Sequence, residues 1–129
     1  MGVAVLAACL VLGLLAPGAG AAARRSASNP FDGTGMWIWI TGRSSGGSPA
    51  AIGARARRYG IRAVYVKSSD GTNMWSQFSR SYVSALKAQG LKVCGWQYVY
   101  GKAPETEAKL GATAVQRGAD CLIIDAESE

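Results

Sequence analysis

Between residues 36 and 127 the spacing of apolar positions alternates between two residues and three to four, the repeats of a strand and of a helix. Met36 to Thr41 alternates Trp37 and Trp39 with Ile38 and Ile40 and predicts a first strand. After a loop of small polar residues, Ser48 can cap a helix and Pro49 suits its first position. That helix carries Ile52, Ala56 and Tyr59 on its apolar face and ends at Gly60. Ile61 to Lys67 is a second strand, followed by a loop from Ser68 to Asn73. A second helix over roughly Ser79 to Gln89 turns Phe78, Tyr82, Val83 and Leu86 inward, and Gly90 terminates it. Leu91 to Tyr98 is a third strand and Gly101 to Ala103 a turn. Pro104 opens a third helix whose Glu105 and Glu107 suit the first turn and whose packing stripe is Ala108, Gly111, Ala112 and Val115. Gly118 closes it, and the run Asp120 to Glu127 is the final strand.

Gly60, Gly90 and Gly118 each stand between a helix end and a strand start, 30 and 28 residues apart, the period of a βα unit. Strands alternating with helices through right-handed crossovers make an α/β fold of parallel (β/α) units. Two architectures share that pattern, a small open sheet and a TIM (β/α)8 barrel, which needs about 200 residues or more. The chain stops just past the tip of its fourth strand, so residues 36–129 are expected to be the first, N-terminal half of such a barrel, inactive as a fragment.

Composition adds an address. The first 23 residues carry no charged side chain, and the apolar run from Val3 to Leu15 is followed by Pro17 and Ala21-Ala22-Ala23. This is the layout of a secretory signal peptide, residues 1–23, with a linker over 24–35. The expected location is secreted or cell-envelope associated, with membrane contact only through that signal; an uncleaved anchor is the alternative, because no Lys or Arg precedes the apolar run. Removal of the signal takes Cys9 with it and leaves Cys94 and Cys121; a bridge between them is conceivable in an exported protein, but buried free thiols are expected because neighbouring parallel strands rarely offer disulfide geometry. Histidine is absent from the chain, which excludes Ser-His-Asp and Cys-His relays within it and removes the commonest transition-metal ligand. No metal and no cofactor is implied. The net charge of +6 raises nucleic acid as a partner, but Arg55, Arg57 and Arg58 lie on one predicted helix face and the other cations are scattered. A solvated surface accounts for them, with at most a preference for anionic envelope polymers.

The final strand carries the candidate chemistry. In Asp120-Cys121-Leu122-Ile123-Ile124-Asp125-Ala126-Glu127, alternation puts Asp125 and Glu127 on the face of Cys121 and Ile123. At the C-terminal tip of a parallel strand, that is where α/β active sites open.

Three segments resemble the family 25 glycoside hydrolases, secreted lysozyme-type muramidases. Val64 to Asn73, with Lys67 and Asp70-Gly71-Thr72, resembles their second-strand segment. Ala88 to Tyr98 is similar to their third strand, and Asp120 to Glu127 to their fourth, which ends in Asp-x-Glu. Order and spacing agree over residues 60–127. Chitinase-type barrels share the Asp-x-Glu ending. The family's strand-one Asp has no counterpart in Gly35 to Ile40, so the resemblance implies a glycoside-hydrolase-like barrel more firmly than muramidase activity.

Glycoside cleavage needs one protonated carboxyl group at the leaving oxygen and a second group to stabilise or attack the sugar cation. Glu127 would be the general acid, with Asp125 tuning it or orienting a substrate amide, and Asp70 a third acid. Lys67 would pair with Asp70 or bind substrate, and Gln97, Tyr98, Tyr100 and Trp39 would line the cleft against a polysaccharide. Simpler accounts stand beside these: an acidic strand end in solvent, a turn at Asp70-Gly71, and a barrel core that wants large aromatic residues such as Trp37 and Trp96. Two other functions remain open. One is a sugar-binding module without catalysis. The other is a small phosphate- or nucleotide-binding sheet using Arg43 and Gly46-Gly47, although that loop matches neither glycine-rich nucleotide motif. The oligomeric state and the glycan are not fixed by sequence.

Overall fold

The computed structural model describes residues 29–127. The expected signal peptide and the first part of the linker lie outside these residues. In chain order the elements are β1 (Thr34–Ile38), α1 (Pro49–Arg58), β2 (Ile61–Asp70), β3 (Asn73–Met74), α2 (Arg80–Lys87), β4 (Lys92–Tyr98), α3 (Pro104–Gln116) and β5 (Cys121–Asp125), with two 3-10 turns at Thr41–Arg43 and Ser45–Gly47. No helix among the described residues is long and apolar enough to cross a membrane.

The sheet runs β1-β2-β4-β5, and these strands pair in parallel. Each new strand is added on the same side of the last, so right-handed crossovers leave the helices on one face. The side chains agree. Ile38, Val64, Val66 and Val93 pack with Ile52, Ala56, Phe78, Val83, Leu86 and Ala114 in a core between sheet and helices. On the other face a second cluster, Ala63, Tyr65, Cys94 and Trp96, has Tyr98, Cys121 and Ile123 against it, and among the described residues no helix packs on it.

Several local expectations are corrected. The first strand begins at Thr34, inside the expected linker, and ends at Ile38, because the chain then turns into the 3-10 segment. The second strand does not stop at Lys67. It continues to Asp70 and folds back antiparallel through β3, with Ser69 opposite Met74 and Asp70 opposite Asn73. β4 occupies the other side of β2 as far as Asp70, so β3 takes the side that β1 has vacated. On α3 the buried positions are Glu107, Gly111 and Ala114, while Val115 is exposed. On α1 they are Ile52, Gly53 and Ala56, with Tyr59 exposed. The thiols are not free: Cys94 and Cys121 form a disulfide. They are register partners on β4 and β5 with Cα atoms 4.6 Å apart, inside the range a bridge spans.

Candidate functional site

The open face is organised in cross-strand rows. Trp37, Tyr65, Cys94 and Cys121 form one. Lys67, Trp96 and Ile123 form the next, and Asp70, Tyr98 and Asp125 lie at the C-terminal ends of their strands. Strict alternation would send Lys67 and Asp70 to opposite faces. The ladder between β2 and β4 shifts between Lys67 and Ser69, so Ser68 is an extra residue and both side chains emerge on the open face. Ser68 itself donates to the Trp96 carbonyl at 3.0 Å.

Lys67 is the centre of this face. It is 1 % exposed, and its ammonium lies 4.6 Å from the ring centre of Trp39, 4.8 Å from Trp75, 4.7 Å from Trp96 and 5.7 Å from Tyr98. Each ring presents negative π density to the cation. Lys67 Nζ also donates to Asp70 Oδ2 at 2.5 Å, and the Tyr100 hydroxyl donates to Asp70 Oδ1 at 3.1 Å. Tyr98 and Tyr100 pack with ring centres 4.8 Å apart. Gly71 makes room for this: it sits at φ +51°, and a Cβ there would come within 3.0 Å of the Tyr100 ring.

Two buried or half-buried side chains that sequence reasoning did not single out hold the cage in place. Gln77, in the segment after β3, accepts from Thr41 N at 3.0 Å and donates to the carbonyls of Trp39 at 2.6 Å and Lys67 at 3.0 Å. It pins the tip of β1 to β2 where their own ladder has ended. Glu107 was expected only to complement the α3 dipole. It is buried, and its Oε2 accepts from Gly101 N at 3.1 Å, fixing the turn beside Tyr100. Neither role has a local sequence signature, because each contact depends on the meeting of separate elements.

Lys67, Asp70, Trp39, Tyr98 and Tyr100 thus converge, and Asp125 lies in the row of Asp70 and Tyr98. The Asp125 carbonyl accepts from Val99 N at 2.9 Å, which holds the strand end to β4. Asp70 and Asp125 are two strands apart, so their Cα atoms are roughly 10 Å apart. Glu127 follows the strand, exposed, one alternation beyond Asp125. Gln97 is placed elsewhere. It is 1 % exposed and faces the helix layer, where Nε2 donates to the Glu107 carbonyl at 2.8 Å.

No protein-family model, curated protein or solved structure matches this chain. The chemistry of these side chains is therefore what bears on function. Trp39 is 62 % exposed, with one ring face toward the Lys67 ammonium. An indole held in this way suits the apolar face of a sugar ring. Among the described residues no group of three His, Cys, Asp or Glu side chains is gathered as metal ligands would be.

Proposed function

We propose that this chain is the first half of a glycoside-hydrolase-like (β/α)8 barrel that acts on a cell-wall or other polysaccharide. The observation that carries the reading is the row Asp70, Tyr98, Asp125 at the C-terminal strand ends, beside the exposed Trp39. Sequential strand order with helices on one face is what half of such a barrel requires. In this reading the sugar stacks on Trp39 and Tyr98, Glu127 protonates the leaving oxygen, and Asp125, about 6–7 Å away between Cα atoms, orients or stabilises the reacting sugar. Asp70 is already engaged by Lys67 and Tyr100, which suits it to shaping the cleft rather than to proton transfer. The Cys94–Cys121 bridge supports export to an oxidising compartment.

A second reading, a carbohydrate-binding barrel without catalysis, is favoured by one feature: Gly35 to Ile40 holds no carboxylate on the strand facing Lys67. The test uses the complete protein encoded at the locus, incubated with peptidoglycan and with chitin. A hydrolase releases reducing ends, and Glu127→Gln lowers the rate roughly 10²- to 10⁴-fold, the usual worth of a general acid. Retention on the insoluble polymer without release selects the binding module. Absence of both retention and release rejects both readings.

A further inference from the structure

On the helix layer, away from the open face, α2 and α3 enclose a groove of about 320 Å³ lined by Arg80, Val83, Ser84, Lys87, Arg117 and Gly118. Three of the six are cations and none is acidic. We propose that this groove is a binding site for a phosphate-type oxyanion, held by Arg80, Arg117 and Lys87.

The cations are fixed before any ligand arrives. Arg80 Nη2 donates to the Gln116 carbonyl at 2.5 Å, Arg117 Nη1 to the Phe78 carbonyl at 2.7 Å, and Lys87 Nζ to the Gly118 carbonyl at 3.1 Å. Capping the carboxyl end of α3 is part of what they do, since two of those carbonyls belong to that end. It does not exhaust them. A guanidinium carries five N–H donors in a rigid fork, and a single carbonyl takes one. The opposing charge is the carboxyl ends of α3 and α2, each worth about half a unit, and the Asp120 carboxylate, which binds Lys87 at 2.8 Å, against three cations. A positive surplus remains. Two forks and an ammonium, with the Ser84 hydroxyl beside them, match the several acceptor oxygens of phosphate better than the two of a carboxylate. The backbone ties lower the ordering cost of binding.

The same group could arrive on a small molecule or in a phosphodiester polymer, and the test separates the two. The thermal midpoint of the full chain is followed against inorganic pyrophosphate and against poly(glycerol phosphate), each compared with sodium chloride at equal ionic strength. A saturable rise with either ligand beyond the salt control is expected. Pyrophosphate alone identifies a small phosphate, and the polymer alone identifies a chain. Ser84 is an exposed position on α2, so Ser84→Glu adds a negative charge beside Arg80 and Lys87, its i−4 and i+3 neighbours, without removing any of the three cations. It should weaken binding roughly tenfold or more, the loss of one charge-assisted contact, whereas Ser84→Gln should not. In parallel, Arg80 and Arg117 side-chain N–H resonances should shift on titration. No rise beyond salt with either ligand, or equal protection of Ser84→Glu and wild type, overturns the proposal. Because the groove lies on the helix layer, the outcome does not depend on the glycan reading of the open face.

Discussion

Lys67 shows how much a single buried cation can organise. Replacing it by Met fills the same space with an apolar chain but removes the charge opposite Asp70. Loss of one partner of a fully buried pair costs about 3–5 kcal/mol. Asp70 is 29 % exposed and keeps Tyr100, so a smaller loss, about 1–3 kcal/mol, is expected in urea denaturation. A change in tryptophan emission should accompany it, because three indoles face the ammonium. Asp120 gives a prediction with a pH signature. Partial burial pushes its carboxyl up, but hydrogen bonds from Lys87 and from Val93 N–H, with the charges of Lys87 and Lys92, outweigh this and hold it below its ordinary value. A carboxylate lowered on folding stabilises the protein above its unfolded value, near pH 3.9, and the contribution disappears as pH falls through the lower folded value. Asp120→Asn should therefore cost about 1–3 kcal/mol at pH 7, and the gap to wild type should narrow as pH falls below the ordinary carboxylate value. The sequence made Lys67 and Asp70 candidates through their place at the end of the second strand and the resemblance of that segment, against the simpler account of an Asp-Gly turn. Their pairing was one of two roles open to Lys67; how both side chains reach the same face was not legible, because that depends on the extra residue at Ser68, which no local pattern announces.

The three helices and the starts of the strands that follow them came from glycines, caps and periodicity, because those signals are local, whereas the extents of the first two strands and the turn back through β3 did not. The faces of the helices were harder. An apolar stripe on α3 suggested Ala108, Gly111, Ala112 and Val115; of these Gly111 is buried, and Glu107 goes in as well because the Gly101 turn supplies it with a donor. Gly53 makes the same point on α1. In isolation it is a weak spot, about 1 kcal/mol worse than Ala in a helix. In the fold, a Cβ there would lie 2.6 Å from Gln89 Cβ and 2.8 Å from Gln89 Cγ. Gly53→Ala thus gains helix propensity and loses the close approach of α1 to the end of α2. Overpacking costs about 1–3 kcal/mol, so the denaturation midpoint should fall with the slope unchanged.

The sheet and helices of residues 29–127 are one-sided. Helices bury one face of the sheet, while Trp37, Trp39 and Phe31 remain more than half exposed on the described residues. Contiguous aromatic exposure of this kind drives association, so sedimentation velocity should show concentration-dependent self-association, reduced by Trp37→Ser. Four parallel strands in sequential order were legible from the glycine period. Whether the sheet closes is not a property of these strands alone, since closure needs partners for both edges. The Cys94–Cys121 bridge bears on when the carboxylate row exists. β5 has five residues, lies at one end of the strand order and is held to β4 by its ladder and by this one covalent link. Without the link, β5 is the strand among the described residues most ready to peel away, taking Asp125 with it. Closing the bridge and fixing the carboxylate row then become a single event, and amide exchange at Ile123 and Asp125, faster after reduction of the bridge, would serve as its clock.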